Sequence, residues 1–419
     1  MYKHIFLNPF YWYSAIWSFV LLLYPLNWTK AYAPLDTRLW LFFLATVAAS
    51  LFIGFYFGRY LKRTAFPYRR PEHTIACAAL LLVGYIADFV YGGFVPLFAV
   101  LAGSEKTYKD FHGMPSVHGL LLSFSLFFGA YMFYCFLREK DRRYKILFLA
   151  YDGMILLMFL FLYTRAFLML MAFIIAVILL SFCKRIRLWH LLATAAAAIV
   201  LLYLFGVLGN IRSGSPWNDT SYLMGVAAID PASVPAFLPK QFLWAYVYLI
   251  SPLGNLNHLV VHYTPTFEIG GVLYSLVPDI IGRVLFRHAS DVTLPLVIKN
   301  LTVLSGFGSM YYFGGFLGLF TEFAYMTLLD CALIRVSLYR SEYIYPTGAL
   351  ACTVTAFLFF ENFLNYTVVM FSFVYPLAVI LTVALFRRYS PRYRHRYGTL
   401  LPLTPEVRIP AGFTPGDDD

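Results

Sequence analysis

Long apolar runs, broken at intervals by short basic clusters, dominate the chain. A helix crossing a bilayer needs about 20 mostly apolar residues, because the hydrocarbon layer is about 30 Å thick. The runs that approach this length predict helices over Phe10–Leu26, Leu39–Phe57, Thr74–Tyr91, Val117–Leu137, Ile146–Tyr163, Arg165–Cys183, Leu188–Gly206, Gly306–Ile334, Tyr345–Phe360 and Met370–Phe386. The reading is an all-α polytopic membrane protein with about ten spans. Two further apolar stretches, Gln241–Val261 and Gly271–Phe286, are interrupted by Pro, Asn, His, Asp or Arg. In lipid such interruptions are tolerated only against protein or a water-filled cavity, so their crossing is left open. The first apolar run lacks a small-residue cleavage site after it, and a retained first span is expected.

The basic clusters give the chain a direction. Arg59, Lys62, Arg63, Arg69 and Arg70 follow the second run; Arg138, Lys140, Arg142, Arg143 and Lys145 the fourth; Lys184, Arg185 and Arg187 the sixth; Arg335 and Arg340 the eighth; Arg387, Arg388, Arg392, Arg394 and Arg396 the last. These loops alternate so that all fall on one side, and Lys and Arg concentrate on the cytoplasmic side. Both termini are therefore expected in the cytoplasm. Four parts follow: membrane helices 1–7 over residues 1–206, a large extracytoplasmic loop over 207–305 with amphipathic or re-entrant helices, membrane helices 8–10 over 306–386, and a basic cytoplasmic tail over 387–419.

Composition removes other classes. Hydrophobic residues make up 61% and charged residues 13%, where soluble chains carry about 25% charged residues; no sizeable soluble domain fits. The formal charge of +11 is dispersed in loop clusters, which suits topology and anionic lipid. A basic, aromatic-studded nucleic-acid face is not seen. The five cysteines lie in or beside apolar runs without CxxC spacing, so neither a metal site nor a disulfide is expected.

Polar residues that could carry chemistry gather on the extracytoplasmic side. Arg165 stands at the turn between two spans, either snorkelling to headgroups or facing an anionic ligand. The large loop adds Arg212, Tyr248, Asn255, Asn257, His258, His262, Glu268, Asp279, Arg283, Arg287 and Lys299. Arg283 and Arg287, at i and i+4, would project from one face of a helix and could grip a pyrophosphate or rest on headgroups. His258 suits a general base near neutral pH, with Glu268 or Asp279 behind it, or a structural role. His262 one turn away raises a metal pair, without an HExxH frame. Apolar runs also enclose Asp88, Asp152, Glu322, Asp330 and Glu361, and charges inside a bilayer are costly and often functional. Gly314 and Gly318 form a GxxxG that permits close helix approach.

Several of these pieces, in this order, resemble the bacterial O-antigen polymerases, which polymerise oligosaccharide repeat units in the inner membrane. They are DFVYGGFVPLF followed by HGMPSVHGLLL; the Arg of YTRAFL; Tyr248, Pro252 and Asn255 in YLISPLGNLN; and Tyr312, Phe313, Gly314 and Gly315 with Gly318 at the head of a span. The resemblance runs from Asp88 to Gly318. It implies a glycosyltransferase of the C class, all-helical, acting at the outer membrane face on undecaprenyl-pyrophosphate-linked glycan. It implies no cofactor and no metal, with membrane lipid and a chain-length regulator as further partners. Catalytic candidates are then His258, Arg165, Arg283 and Arg287; substrate-binding candidates are Arg212, Asn255, Asn257, Lys299, Tyr248 and Glu268. None of Arg165, Arg212, Arg283 or Arg287 has the Gly eleven positions later that the family's loop motif carries. An O-antigen ligase, which shares the pyrophosphate chemistry, and a flippase for the same lipid-linked sugars are the alternatives.

Overall fold

The computed structural model describes residues 2–63, 68–104, 110–183, 187–290, 292–337 and 341–389. The expected basic positions Lys184, Arg185, Arg340, Arg392, Arg394 and Arg396 lie outside them. Helices account for the regular structure, and among the described residues the only β pairing is an isolated bridge between Thr29 and Ile229. In chain order the helices are α1 (Lys3–Phe6), α2 (Pro9–Leu23), α3 (Thr37–Arg63), α4 (Thr74–Gly92), α5 (Pro96–Leu101), α6 (Val117–Arg138), α7 (Arg142–Phe161), α8 (Arg165–Phe182) and α9 (Leu188–Arg212). There follow α10 (Ser221–Val226), α11 (Phe242–His262), α12 (Ile269–Leu276), α13 (Asp279–Leu285), α14 (Arg287–Ser290), α15 (Phe307–Ser337), α16 (Ile344–Phe357), α17 (Thr367–Phe371) and α18 (Val374–Tyr389).

Seven helices are long and apolar enough to cross a membrane: α3, α4, α6, α7, α8, α9 and α15. The three other expected spans are shorter. Helix α2 has 15 residues and α16 has 14, about 22 Å at 1.5 Å per residue, and the last run is divided into α17 and α18. Local signals set the boundaries. Asn8 accepts a bond from the Phe10 amide ahead of Pro9 and opens α2, Asp141 accepts from the Arg143 amide and opens α7, and Gly93 at φ +76° closes α4, a conformation glycine takes without a Cβ penalty. Helix α16 is buried along nearly its whole length, as is most of α6. They form the interior against which α2, α8 and α15 pack.

The basic loops converge on one end. Arg70, before α4, forms an ion pair of 2.7 Å with Glu139, after α6, and this guanidinium holds the Glu139 carboxyl well below its ordinary value. Tyr134 near the end of α6 stacks on Tyr345 at the start of α16, and both rings meet Phe182 at the end of α8.

The opposite end is closed by α11 to α14. The two stretches left open in the sequence both lie across this end. Helix α11 touches the α2–α3 connection twice, through Tyr246 bonded to the Trp28 amide and through Asn257 bonded to the Asp36 amide and the Pro34 carbonyl. Its first turn meets the last turn of α9, where the Trp244 ring N–H donates to Asn210. Contacts with one end of the bundle at both its termini exclude a course through it. Fifteen of its 21 residues are buried, so it is an internal beam. Asn362 and Asn365 bind the carbonyls of Ser275, Tyr274 and Val277 and fasten α12 and α13 to the same end.

Helix α15 is folded back on itself. Gly315 has φ 59° and ψ −148°, a region essentially closed to residues with a Cβ. Across it, a methyl built on Gly318 would run into the Met310 carbonyl. In a straight helix those residues would stand about 12 Å apart. The GxxxG pair is thus divided: Gly314 lies against Val272 of α12, and Gly318 lets the two arms of α15 touch. The inner arm ends at Phe307, which reaches Trp17, Phe42 and Phe43.

Replacing Gly315 or Gly318 by Ala is expected to destabilise the fold by about 1–3 kcal/mol, through backbone strain at the first and a steric clash at the second. Melting of the purified variants in detergent tests this; unchanged midpoints would count against the hairpin.

Candidate functional site

A cavity of about 360 Å³ opens at the end closed by α11. Three elements place polar groups in it: the α7–α8 turn contributes Tyr163, Thr164 and Arg165, the end of α9 contributes Arg212, and α11 contributes Tyr248. Phe205, Phe357, Phe359, Phe360 and Phe363 provide much of the remaining wall, with Tyr366 beyond them. Tyr163 at φ +54° forces the turn, so that Arg165 becomes the first residue of an 18-residue helix. Its guanidinium lies 4.9 Å from the Phe205 ring centre, and its Nη1 is buried without a hydrogen-bond partner among the described residues.

An unpaired buried donor on a permanent cation is costly, and it is the free valence of this site. The α8 N-terminus adds partial positive charge at the same place. Tyr248 stands between Phe205 and Phe360, and Pro252, four residues on, has no N–H to give its carbonyl. The arrangement suits a ligand with an anionic head and an apolar body.

The structure brings Arg165, Arg212 and Tyr248 together and disperses the other expected site residues. His258 is ten residues beyond Tyr248 on α11, about 15 Å along the axis. It stacks with His262 at 4.5 Å, and His262 also contacts the His258 carbonyl at 3.1 Å; partial burial and the second imidazole lower the His258 pKa. Among the described residues no third His, Cys, Asp or Glu completes a metal group with them. Arg283 and Arg287 do not share a helix face: Phe286, at φ −131° and ψ 51°, separates α13 from α14. Arg283 is engaged by Asp279 at 2.8 Å, and Tyr274 donates to the same carboxylate at 2.6 Å, so neither group is a free pyrophosphate clamp or base. Glu268 precedes the first turn of α12 and Lys299 lies exposed in the connection before α15; neither lines the cavity.

Asn255 and Asn257 serve the fold. Asn255 is fully buried, donates to the carbonyls of Leu301 and Val303 and accepts from the Val297 amide. Asn257 has the same kind of duty toward residues 33–36. Their amides are committed to backbone, and neither residue lines the cavity.

The intramembrane carboxylates divide. Glu322 and Asp152 are buried with no hydrogen-bond partner on either oxygen among the described residues. Asp330 accepts from Thr355 at 2.8 Å. Glu361 follows Phe360 at the cavity end and is exposed. Asp88 pairs with His118 at 2.6 Å, an association the sequence does not signal, because thirty residues and a connecting loop separate them.

No protein-family model matches the chain, and no curated protein or solved structure is significantly similar to it.

Asn255→Ala would strand three buried backbone groups and is expected to destabilise by about 3 kcal/mol or more. Arg283→Ala removes an exposed ion pair, expected to contribute less than about 1 kcal/mol. Melting midpoints of the two variants, compared side by side, test the division between brace and surface pair.

Proposed function

We propose that the chain is a glycosyltransferase of the C class that polymerises undecaprenyl-pyrophosphate-linked repeat units at the outer face of the bacterial inner membrane, with both termini cytoplasmic. The observation that carries this reading is Arg165: a guanidinium whose buried Nη1 has no hydrogen-bond partner among the described residues, at a helix N-terminus, in a cavity walled by aromatic rings. A lipid pyrophosphate matches both halves, its charge facing Arg165 and Arg212 and its apolar chain following the Phe wall. When the bond from the anomeric carbon to pyrophosphate breaks, negative charge grows on the departing oxygen. A fixed guanidinium in a water-poor cavity stabilises that charge more than it stabilises the ground state. The convergence of the described basic loops at the other end of the bundle supports the proposed sidedness.

The ligase alternative uses the same cavity and differs only in the acceptor. One observation favours a transporter instead: Glu322 is fully buried inside the spanning region with no partner on either oxygen among the described residues, and intramembrane carboxylates mark the proton relays of transporters.

The test is transfer by the purified chain with a lipid-linked repeat unit, resolved on a gel. A ladder of lengthening glycans supports the polymerase; a single transfer to another lipid acceptor identifies the ligase; no transfer to any acceptor leaves the transporter. Arg165→Ala is expected to lower the rate by about 10²–10³-fold, the usual effect of losing one oxyanion donor. An Arg165→Ala variant with wild-type rate would overturn the pyrophosphate role.

A further inference from the structure

The first turn of α6 sets a histidine against a buried carboxylate. Asp88, in the last turns of α4, is fully buried. One of its oxygens accepts the Met114 amide at 2.7 Å, and the other meets His118 Nδ1 at 2.6 Å. The backbone is bent to make this possible. Ser116 is held at φ +62°, sparsely populated for a residue with a side chain. Gly113 lies so close that a methyl there would strike both the Asp88 carboxylate and the His118 ring. The Phe111 ring packs against the imidazole at 5.7 Å. With Nδ1 committed to Asp88, the imidazole keeps one tautomer, and the nitrogen left to accept a proton is Nε2. The His118 side chain is 30% exposed while that of Asp88 is fully enclosed, so the pair has one accessible member.

Neither member of the dyad lines the cavity, and two contacts join their neighbours to residues close to its wall. Phe89, next to Asp88, meets Phe161, two residues before Tyr163 of the wall. Gly119, next to His118, lies against Val368, two residues after Tyr366 of the wall.

We propose that His118 is the general base of the transfer, oriented by Asp88 as a positioning residue; this rests on the glycosyltransferase reading above. The acceptor sugar's hydroxyl oxygen bonds to the anomeric carbon of the donor as its proton passes to His118 Nε2. The bond from that carbon to the pyrophosphate oxygen breaks, and its electron pair leaves with the lipid pyrophosphate. The imidazolium then returns the proton to water. Arg165 and His118 thereby take opposite ends of one displacement, charge on the leaving group and proton on the acceptor.

The experiment separates catalysis from a mere clip. In His118→Asn, the side-chain amide nitrogen takes the place of Nδ1 and still donates to Asp88, while Nε2 is gone. Expected for the full-length protein are a kcat lower by about 10²–10⁴-fold, the usual contribution of a general base, a KM for the lipid-linked donor within about twofold of wild type, and an unchanged melting midpoint. Asp88→Asn should lower kcat with KM retained. Thermal stabilisation by farnesyl pyrophosphate should persist in His118→Asn and disappear in Arg165→Ala. A His118→Asn variant that elongates within about threefold of wild type overturns the base and leaves the glycosyltransferase reading intact. So does a loss of rate that only tracks a lowered melting midpoint. If wild type itself transfers to no acceptor, the underlying reading falls and the base with it.

Discussion

Two asparagines two residues apart on one helix hold the site end of this molecule together. Residues i and i+2 of a helix differ by about 200° around its axis, so Asn255 and Asn257 face nearly opposite sides of α11. Asn255 secures residues 297–303 on one side and Asn257 secures residues 33–36 on the other. Neither connection has a regular ladder to satisfy its backbone, and a bare peptide group out of water is expensive. The buried amides supply what water would supply elsewhere. Without them the chain could not enter the bundle to place Phe307 against Trp17, nor could α11 keep Tyr248 at the cavity wall.

The cavity follows from the same economy of polar groups. The Asn255 and Asn257 amides of α11 have backbone partners, and the Arg165 Nη1 has none among the described residues. Its surroundings are aromatic rings, which present electron-rich faces but few acceptors. A cation so placed has its attraction undiluted by competing carboxylates. No carboxylate lines the cavity; at the same end Asp88 faces His118 and Asp279 faces Arg283.

Much of the architecture was legible because lipid imposes a simple code. Apolar length gave the seven long helices, and the Lys and Arg clusters gave a bundle with two unlike ends, seen in the Arg70–Glu139 bridge. Three of the expected spans proved shorter, since apolarity alone does not tell a full crossing from a buried core helix such as α16. The site was legible at Arg165, Arg212 and Tyr248, each a polar group beside an apolar run. It was not legible at Asn255, where a polar residue that suggests a ligand serves backbone carbonyls, nor at Arg283, whose spacing to Arg287 assumed a continuous helix that Phe286 interrupts. The Asp88–His118 pair depends on a tertiary fold of residues 110–117, and no periodicity reports such a meeting.

Arg165 is the first residue of an 18-residue helix that descends to the basic end. At 1.5 Å per residue that helix is about 27 Å long, close to the thickness of a hydrocarbon layer. The guanidinium is therefore mounted on a ruler. Its height above the opposite leaflet is set by the length of α8, whereas the height of a lipid headgroup is set by the surrounding bilayer. Register between the two becomes a property of membrane thickness, and the acyl-chain length of the host lipid becomes a parameter of the site as real as any side chain in it.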